Sequence, residues 1–303
     1  MKVLSIIVTY NPGGWLDPCL NSLLDSSLKT DIIIIDNGST DNTINKIKNN
    51  FNCVRLIQNK KNKGFGAANN QGLQIAINEN YDFAFLLNQD AWVKPDTLEV
   101  LVDKSLNNQG FGIVSPIHLN GEGTKLDKKF SLYIGPKNCD FFSDLIVKEV
   151  VQDIYNLNFI NAAAWLISKK CLETVGGFNP SFFHYGEDDN YCQRVVYHGF
   201  KIGLVPKSYI YHDREERSTN VYFDKFKESY KRILILKLSN PNLKNSKSIK
   251  SLLLRDIIKK TMFFQFKAAF SLISIANELK FKSINKNKEY SMSKNGSFLK
   301  LEK

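Results

Sequence analysis

The chain has 303 residues, 43% hydrophobic and 23% charged, enough to close a sizeable core and too apolar for a disordered polymer. Its five cysteines (Cys19, Cys53, Cys139, Cys171, Cys192) show no CxxC spacing, which argues against a disulfide framework or a zinc site and makes a reducing compartment, the cytoplasm, the default. The net charge of +11 is local: residues 221–303 hold 19 Lys+Arg against 6 Asp+Glu, while residues 1–220 hold 22 against 24. An excess confined to the tail, without an aromatic RNA-binding signature, gives no ground for a specific nucleic-acid site.

The opening stretch MKVLSIIVTYNPGG is too short in its apolar part for a secretory core and reads as a first strand. Three further Val/Ile/Leu-rich runs follow, DIIIIDN, VRLIQN and FAFLLNQD, separated by helical spacing around Trp15 to Leu28, Ala67 to Ile77 and Thr97 to Leu106. Continuous apolar runs alternating with amphipathic helices predict an α/β sandwich, its mostly parallel central sheet flanked by helices on both faces. Ligands bind such sheets at the carboxyl ends of the strands, which here read Thr9-Tyr10-Asn11, Asp36-Asn37-Gly38-Ser39 and Asn88-Gln89-Asp90. No window holds the ~20 apolar residues of a membrane span.

The segment DNGSTDNT, residues 36–43, is rich in turn formers and caps and by itself reads as a loop and helix start in preference to a site. KGFGAANNQG, residues 63–72, is not a dinucleotide fingerprint, because Asn69 stands at the third glycine position and the segment follows the third strand. Gly64 and Gly66 instead suit close approach of a ligand to a helix amino terminus. Further on, Gly186 opens a helix with Glu187, Asp188 and Asp189 in its first turn, and Gly199 closes it. One or two acids there answer the helix dipole; three adjacent ones repel and raise one another's pKa.

The combination of VTYN, DNGSTD, NKGFGAANN, LLNQDAWVKPD, VGGFNPSFFHYGEDDNYCQR and SYIYHD, in that order over residues 3–238, resembles a family-2 glycosyltransferase of the GT-A fold, of the rhamnosyltransferase-like kind. The resemblance implies a catalytic domain over residues 1–238 that binds a nucleotide-diphosphate sugar and transfers the sugar, with inversion, to a glycan or lipid-linked oligosaccharide. It implies Asp90 and His212 as ligands of Mn2+ or Mg2+, Asp188 as the base, and Glu187 as a group that binds acceptor hydroxyls or orients the loop. It places Thr9, Tyr10, Asn11, Asp36, Asn37, Lys63, Gly64, Asn69, Asn88 and Gln89 around the donor nucleotide. Trp165, Tyr185, Glu187 and Arg194 are then expected on the acceptor side, with Arg194 either pairing with Glu187 or forming an exposed ion pair. The chain departs from many relatives at Asn190, where an acid is usual. A sugar nucleotidyltransferase is the competing reading; it needs a glycine-rich phosphate loop after the first strand, and TYNPGGW is a poor one.

Residues 239–303 read as a basic, mainly helical extension, with a disordered end expected over the Lys-, Asn- and Ser-rich residues 283–303. From Leu252 to Phe281 one stripe carries Leu254, Ile258, Met262, Phe266, Ala269, Ile273 and Ala276, flanked by Arg255, Lys259, Lys260 and Lys267. The stripe suits packing on the catalytic domain, a homodimer, or contact with an anionic membrane at its cytoplasmic face.

Overall fold

Successive residues of a strand face opposite ways, and the first strand is apolar on both sides, so both sides need cover. The computed structural model describes residues 1–214, 226–243, 247–293 and 295–301. Strand β1 (Val3–Thr9) buries Val3 and Ile7 against Leu16, Leu20 and Leu23 of helix α1 (Leu16–Leu24). Its other face buries Leu4 and Ile6 against Ala68 and Leu73 of α3 (Phe65–Asn78). Two apolar cores thus sandwich the sheet, as the alternating pattern predicts.

Strands β2 (Asp31–Asp36), β3 (Arg55–Gln58) and β4 (Phe83–Asn88) lie parallel to β1 or to one another, in the order β3-β2-β1-β4. Helix α2 (Thr43–Asn50) joins β2 to β3. The short β5 (Ala91–Val93), helix α4 (Thr97–Asn107) and β6 (Phe111–Asn120) follow. Then come α5 (Lys128–Tyr133), the single turn α6 (Phe141–Ser143), β7 (Tyr155–Leu157), β8 (Ala164–Ser168) and α7 (Lys169–Val175). Helix α8 (Glu187–Tyr197) and β9 (Lys201–His212) complete a nine-stranded sheet in which β8 runs antiparallel to β4 and β6, while β9 runs parallel to β6. The sheet is therefore parallel in its first half and mixed in its second.

Register decides what meets at the sheet's edge. Thr9 stands opposite Asp36 and Val8 opposite Asn88, so the polar ends of β1, β2 and β4 lie side by side. His212 stands opposite Ala91, which carries the end of β9 to the residue after Asp90.

The tail is helical, as expected, but not as one stripe with a disordered end. Helices α9 (Phe226–Ser239), α10 (Lys247–Met262), α11 (Phe266–Glu278) and α12 (Phe281–Ser293) share a core of Leu234, Leu238, Ile249, Leu253, Leu272, Ile275, Leu279 and Ile284. That core takes in α9, upstream of the boundary expected at 238. The single stripe expected from Leu252 to Phe281 is broken into two packed helices at residues 263–265, where Phe264 takes φ +54°. Most of the residues expected to disorder at 283–303 are also ordered. Asn287 Nδ2 donates to Ser181 Oγ, Ser297 Oγ donates to the Val175 carbonyl, and Leu299 enters the core beside α3. Apolar side chains with waiting partners outweigh the Lys- and Asn-rich composition there. Residues 294, 302 and 303 of that stretch lie outside the described residues. No helix among the described residues is long and apolar enough to cross a membrane.

Candidate active site

The crevice begins at the end of β1. Thr9 Oγ1 donates to Asp36 Oδ1 at 3.0 Å, and the Gly38 and Ser39 N–H groups donate to Asp36 Oδ2 at 3.1 and 3.0 Å. Asp36 is buried, and its carboxylate braces its own turn with two accepted bonds and ties it to β1 with the third. Asn37 acts likewise: Nδ2 donates to Asn62 Oδ1, and Oδ1 accepts the Lys63 N–H, which ties the turn after β2 to the approach to α3. Above them, Asn11 Oδ1 accepts the Thr40 N–H, and Gln89 exchanges hydrogen bonds with both backbone groups of Tyr10. The Tyr10 and Lys63 side chains remain exposed, and Asn88 is half-buried at the end of β4. Gly64 takes φ +88°, and a Cβ there would sit 2.1 Å from the Phe183 carbonyl oxygen, so this loop lies against the approach to α8 and needs glycine.

Asn69 requires correction as a donor contact. It is buried in α3, and its amide donates to the Phe65 carbonyl one turn back, so it serves the helix rather than the crevice.

At the far end of the crevice, His212 Nε2 lies 3.5 Å from Asp90 Oδ2, both side chains buried. His212 Nδ1 faces Asp127 Oδ2 at 3.8 Å, too long for a hydrogen bond. Asp127 caps α5 by accepting the Phe130 N–H, and it accepts two bonds from Arg214, at 2.6 and 2.5 Å. Burial would raise the Asp127 carboxyl, but the Arg214 bonds and charge hold it below its ordinary value. The strand end is pinned by Asp213, whose N–H donates to the Asp90 carbonyl and whose carboxylate accepts Trp15 Nε1–H at 2.8 Å.

Among the described residues no three His, Cys, Asp or Glu side chains gather into a self-sufficient metal cage. The Asp90–His212 pair, one carboxylate and one imidazole nitrogen turned toward each other, fits a cation that takes its other ligands from phosphate oxygens.

The acid cluster sits at the start of α8, where Gly186 takes φ +92° and Arg232 of α9 packs its stem over it. Burial, then the charge of Asp188, pushes Glu187 up to about 8; its Oε2 has no hydrogen-bond partner. The same two causes raise Asp189 to about 7. Burial also raises Asp188, against backbone N–H groups and the charge of Arg214. Arg214 therefore acts electrostatically on Asp188 as well as on Asp90 and Asp127. Beside this helix start, Phe182, His184, Tyr185, Glu228, Arg232 and Ile235 line a cavity of about 250 Å³.

Two acceptor-side expectations are overturned. Trp165 is fully buried in β8, its ring between Phe178 and Tyr191, and offers no face to a sugar. Arg194 is fully buried as well; among the described residues it pairs with no acid and instead donates to the carbonyls of Gly177 (2.7 Å, twice) and Val175 (2.9 Å). An α8 that docks on the core has room for a guanidinium only where carbonyl oxygens meet it, and the turn after α7 supplies them.

Asp127 and Arg214 escaped sequence reasoning. The signal for Asp127 was its place before KKF as a helix cap; for Arg214 it was a cation next to YHD at a strand end.

The model of the family described as glycosyl transferase family 2 matches residues 5–176. The low-salt glycan biosynthesis hexosyltransferase of Haloferax volcanii is 25% identical over 206 residues, 64% of this chain and 64% of its own, so the match spans just under two thirds of that relative. The N-acetylglucosaminyl-diphospho-decaprenol L-rhamnosyltransferase of Mycobacterium tuberculosis is 23% identical over 231 residues, 69% of this chain and 75% of its own. The O-antigen chain rhamnosyltransferase RfbN of Salmonella typhimurium is 27% identical over 237 residues, 74% and 71%. In fold, TarS of S. aureus in complex with UDP aligns with a TM-score of 0.57 at 17% identity, covering 80% of this chain and 67% of that one. GalNAc-T7, described with UDP, GalNAc and Mn2+, aligns at 0.58 and 15% identity, covering 79% and 51%. The fold is that of the GT-A glycosyltransferases, and the chain belongs to glycosyl transferase family 2.

Proposed function

We propose that the protein is an inverting, metal-dependent hexosyltransferase that moves rhamnose or a related sugar from a nucleotide-diphosphate donor to a hydroxyl of a lipid-linked glycan. The observation that carries this reading is the buried Asp90–His212 pair at the carboxyl edge of the sheet, on the same edge as Thr9, Tyr10, Asn11 and the Asp36 turn. The mycobacterial relative's name, with its diphospho-decaprenol acceptor, supports the lipid-linked choice.

In this reading Asp90 and His212 hold Mn2+ or Mg2+, which when bound supplies Lewis acidity to the departing diphosphate. The Asp127 carboxylate, 3.8 Å from Nδ1, would by its charge favour the His212 tautomer with the proton on that nitrogen, leaving the Nε2 lone pair toward Asp90. Arg214 fixes Asp127 and brings a positive charge near the leaving group. Asp188 takes the proton from the acceptor hydroxyl, and its raised pKa makes it a better base than an exposed carboxylate. Glu187, kept protonated at neutral pH, donates through its unpartnered oxygen to another acceptor hydroxyl. Tyr185 and the adjoining cavity receive the acceptor sugar.

The test is a panel of nucleotide sugars screened by thermal shift with and without Mn2+. A true donor should stabilise the wild type more with metal present, and should lose that metal increment in Asp90→Ala. If no nucleotide sugar stabilises the protein, or the increment survives Asp90→Ala, the proposal is wrong.

A further inference from the structure

The turn between α10 and α11 exposes a cluster of large apolar side chains. Phe264 is 81% exposed, Met262 71%, Phe270 70% and Phe263 66%. Leu254 and Ile258 extend the cluster along α10, and Phe266 and Ile273 extend it along α11, all of them exposed. The opposite side of this helical hairpin is spent on Leu253, Leu272 and Ile275, which pack against α9. Large exposed apolar side chains recurring along two packed helices and their turn mark a surface that meets something.

Its charge says what. Arg255, Lys259, Lys260 and Lys267 flank the apolar residues, and the sequence has no carboxylate between Asp256 and Glu278. Those two acids are paired with α9: Asp256 accepts from the Tyr230 hydroxyl, and Glu278 pairs with Lys227 and Lys231. A second copy of this face would bring cations against cations, which opposes a two-fold pairing. Phenylalanines at a helical turn with lysines beside them instead match the acyl boundary and the anionic headgroups of a phospholipid bilayer.

We infer that the α10–α11 hairpin is a membrane-docking element, its tip of Met262, Phe263, Phe264 and Phe270 entering the interface of an anionic bilayer. The inference rests on the hairpin alone and stands or falls apart from the donor and metal chemistry. Its consequence for catalysis lies in the packing. Asn190 Nδ2 of α8 donates to Ser239 Oγ of α9 at 3.0 Å, and Arg232 of α9 covers Gly186. A docked hairpin thereby holds the amino terminus of α8, with Asp188, at a fixed place relative to the lipid surface.

The test is flotation of the full chain with vesicles of phosphatidylcholine alone, or of phosphatidylcholine and phosphatidylglycerol in equal amounts, at low and high salt. The wild type should float only with the mixed vesicles and be released by salt. The double variant Phe263→Ser, Phe264→Ser should lose partitioning on the order of 100-fold. The triple variant Lys259→Gln, Lys260→Gln, Lys267→Gln should lose a similar factor, about fivefold per cation. Both should keep the wild-type melting temperature and any donor-induced shift, which separates lost docking from lost folding. The inference is overturned if the wild type does not float, or if both variants float as it does. It is also overturned if light scattering shows a wild-type dimer that the Phe variant splits, since the occupant would then be a second copy.

Discussion

The Nε2 atom of His212 and the Oδ2 atom of Asp90 face each other at 3.5 Å, brought together by the antiparallel pairing of β5 with β9. The pair is the narrowest point on which the proposed metal chemistry turns. Asp90→Ala should reduce transfer by at least ~10³-fold, since the diphosphate would depart without its counter-charge. His212→Ala should leave measurable activity and raise the Mn2+ concentration needed for half-maximal rate. Metal titration of initial rates checks both, and equal metal requirements for His212→Ala and wild type would remove His212 from the site.

Arg214 makes two bonds to Asp127, and Asp127 in turn faces the other ring nitrogen of His212. Disturbing such an outer partner typically costs about 10–100-fold in metal affinity. Asp127→Asn is thus expected to weaken metal-dependent donor binding by that factor while leaving the fold intact, because the Asn side chain can still accept the Phe130 N–H. Arg214→Ala should weaken donor binding further, since it also removes a positive charge placed to meet the donor diphosphate. Donor-induced thermal shifts across a Mn2+ series read both effects.

Asp188→Asn keeps the shape of the α8 start and removes the proposed base. Turnover should fall by about 10²–10⁴-fold with donor binding unchanged. In the wild type the rate should drop as pH falls through the raised pKa of Asp188, at a pH above that expected for an ordinary carboxylate. A rate–pH profile that is flat down to the ordinary carboxylate range would exclude Asp188 as the base.

The acid cluster also predicts a pH-dependent stability. Below the ordinary carboxylate range, Glu187 and Asp189 are protonated in both the folded and the unfolded chain. As the pH rises through that range the unfolded chain gives up protons that the folded chain keeps, so stability falls until about 7 for Asp189 and about 8 for Glu187. The melting temperature should therefore decline from about pH 5 to about pH 8 by several degrees. Glu187→Gln, which cannot ionise, should flatten that decline and be more stable than wild type at the upper end.

The sheet and its polar edge were legible because apolar runs such as DIIIID and FAFLLN end abruptly on side chains that a buried strand does not tolerate. Burial of polar groups was not legible. Arg194 reads as a surface cation by type, and only the meeting of α8 with the carbonyls of residues 175–177 makes an interior place for it. Asp127 was hidden because the loop after β6 carries no periodic pattern, so nothing brought it to the strand that ends at His212. The break at Phe264 was equally hidden: apolar spacing runs unchanged from α10 into α11, and no glycine or proline marks the turn.

Arg194 yields the sharpest contrast between a ligand contact and a structural clamp. Its guanidinium donates to two carbonyl oxygens and lies 5.0 Å from the Phe298 ring, so it joins α8, the turn after α7 and the returning carboxyl-terminal segment. Arg194→Met would keep much of the apolar volume but leave the Gly177 and Val175 carbonyls without a donor in the interior. Each such loss costs about 1–3 kcal/mol, giving about 2–6 kcal/mol together. The variant should melt well below the wild type, yet at a temperature where it remains folded its KM for the acceptor should be unchanged, as for Trp165→Phe. An acceptor KM that rises with Arg194→Met while the melting temperature stays put would return this residue to the binding site.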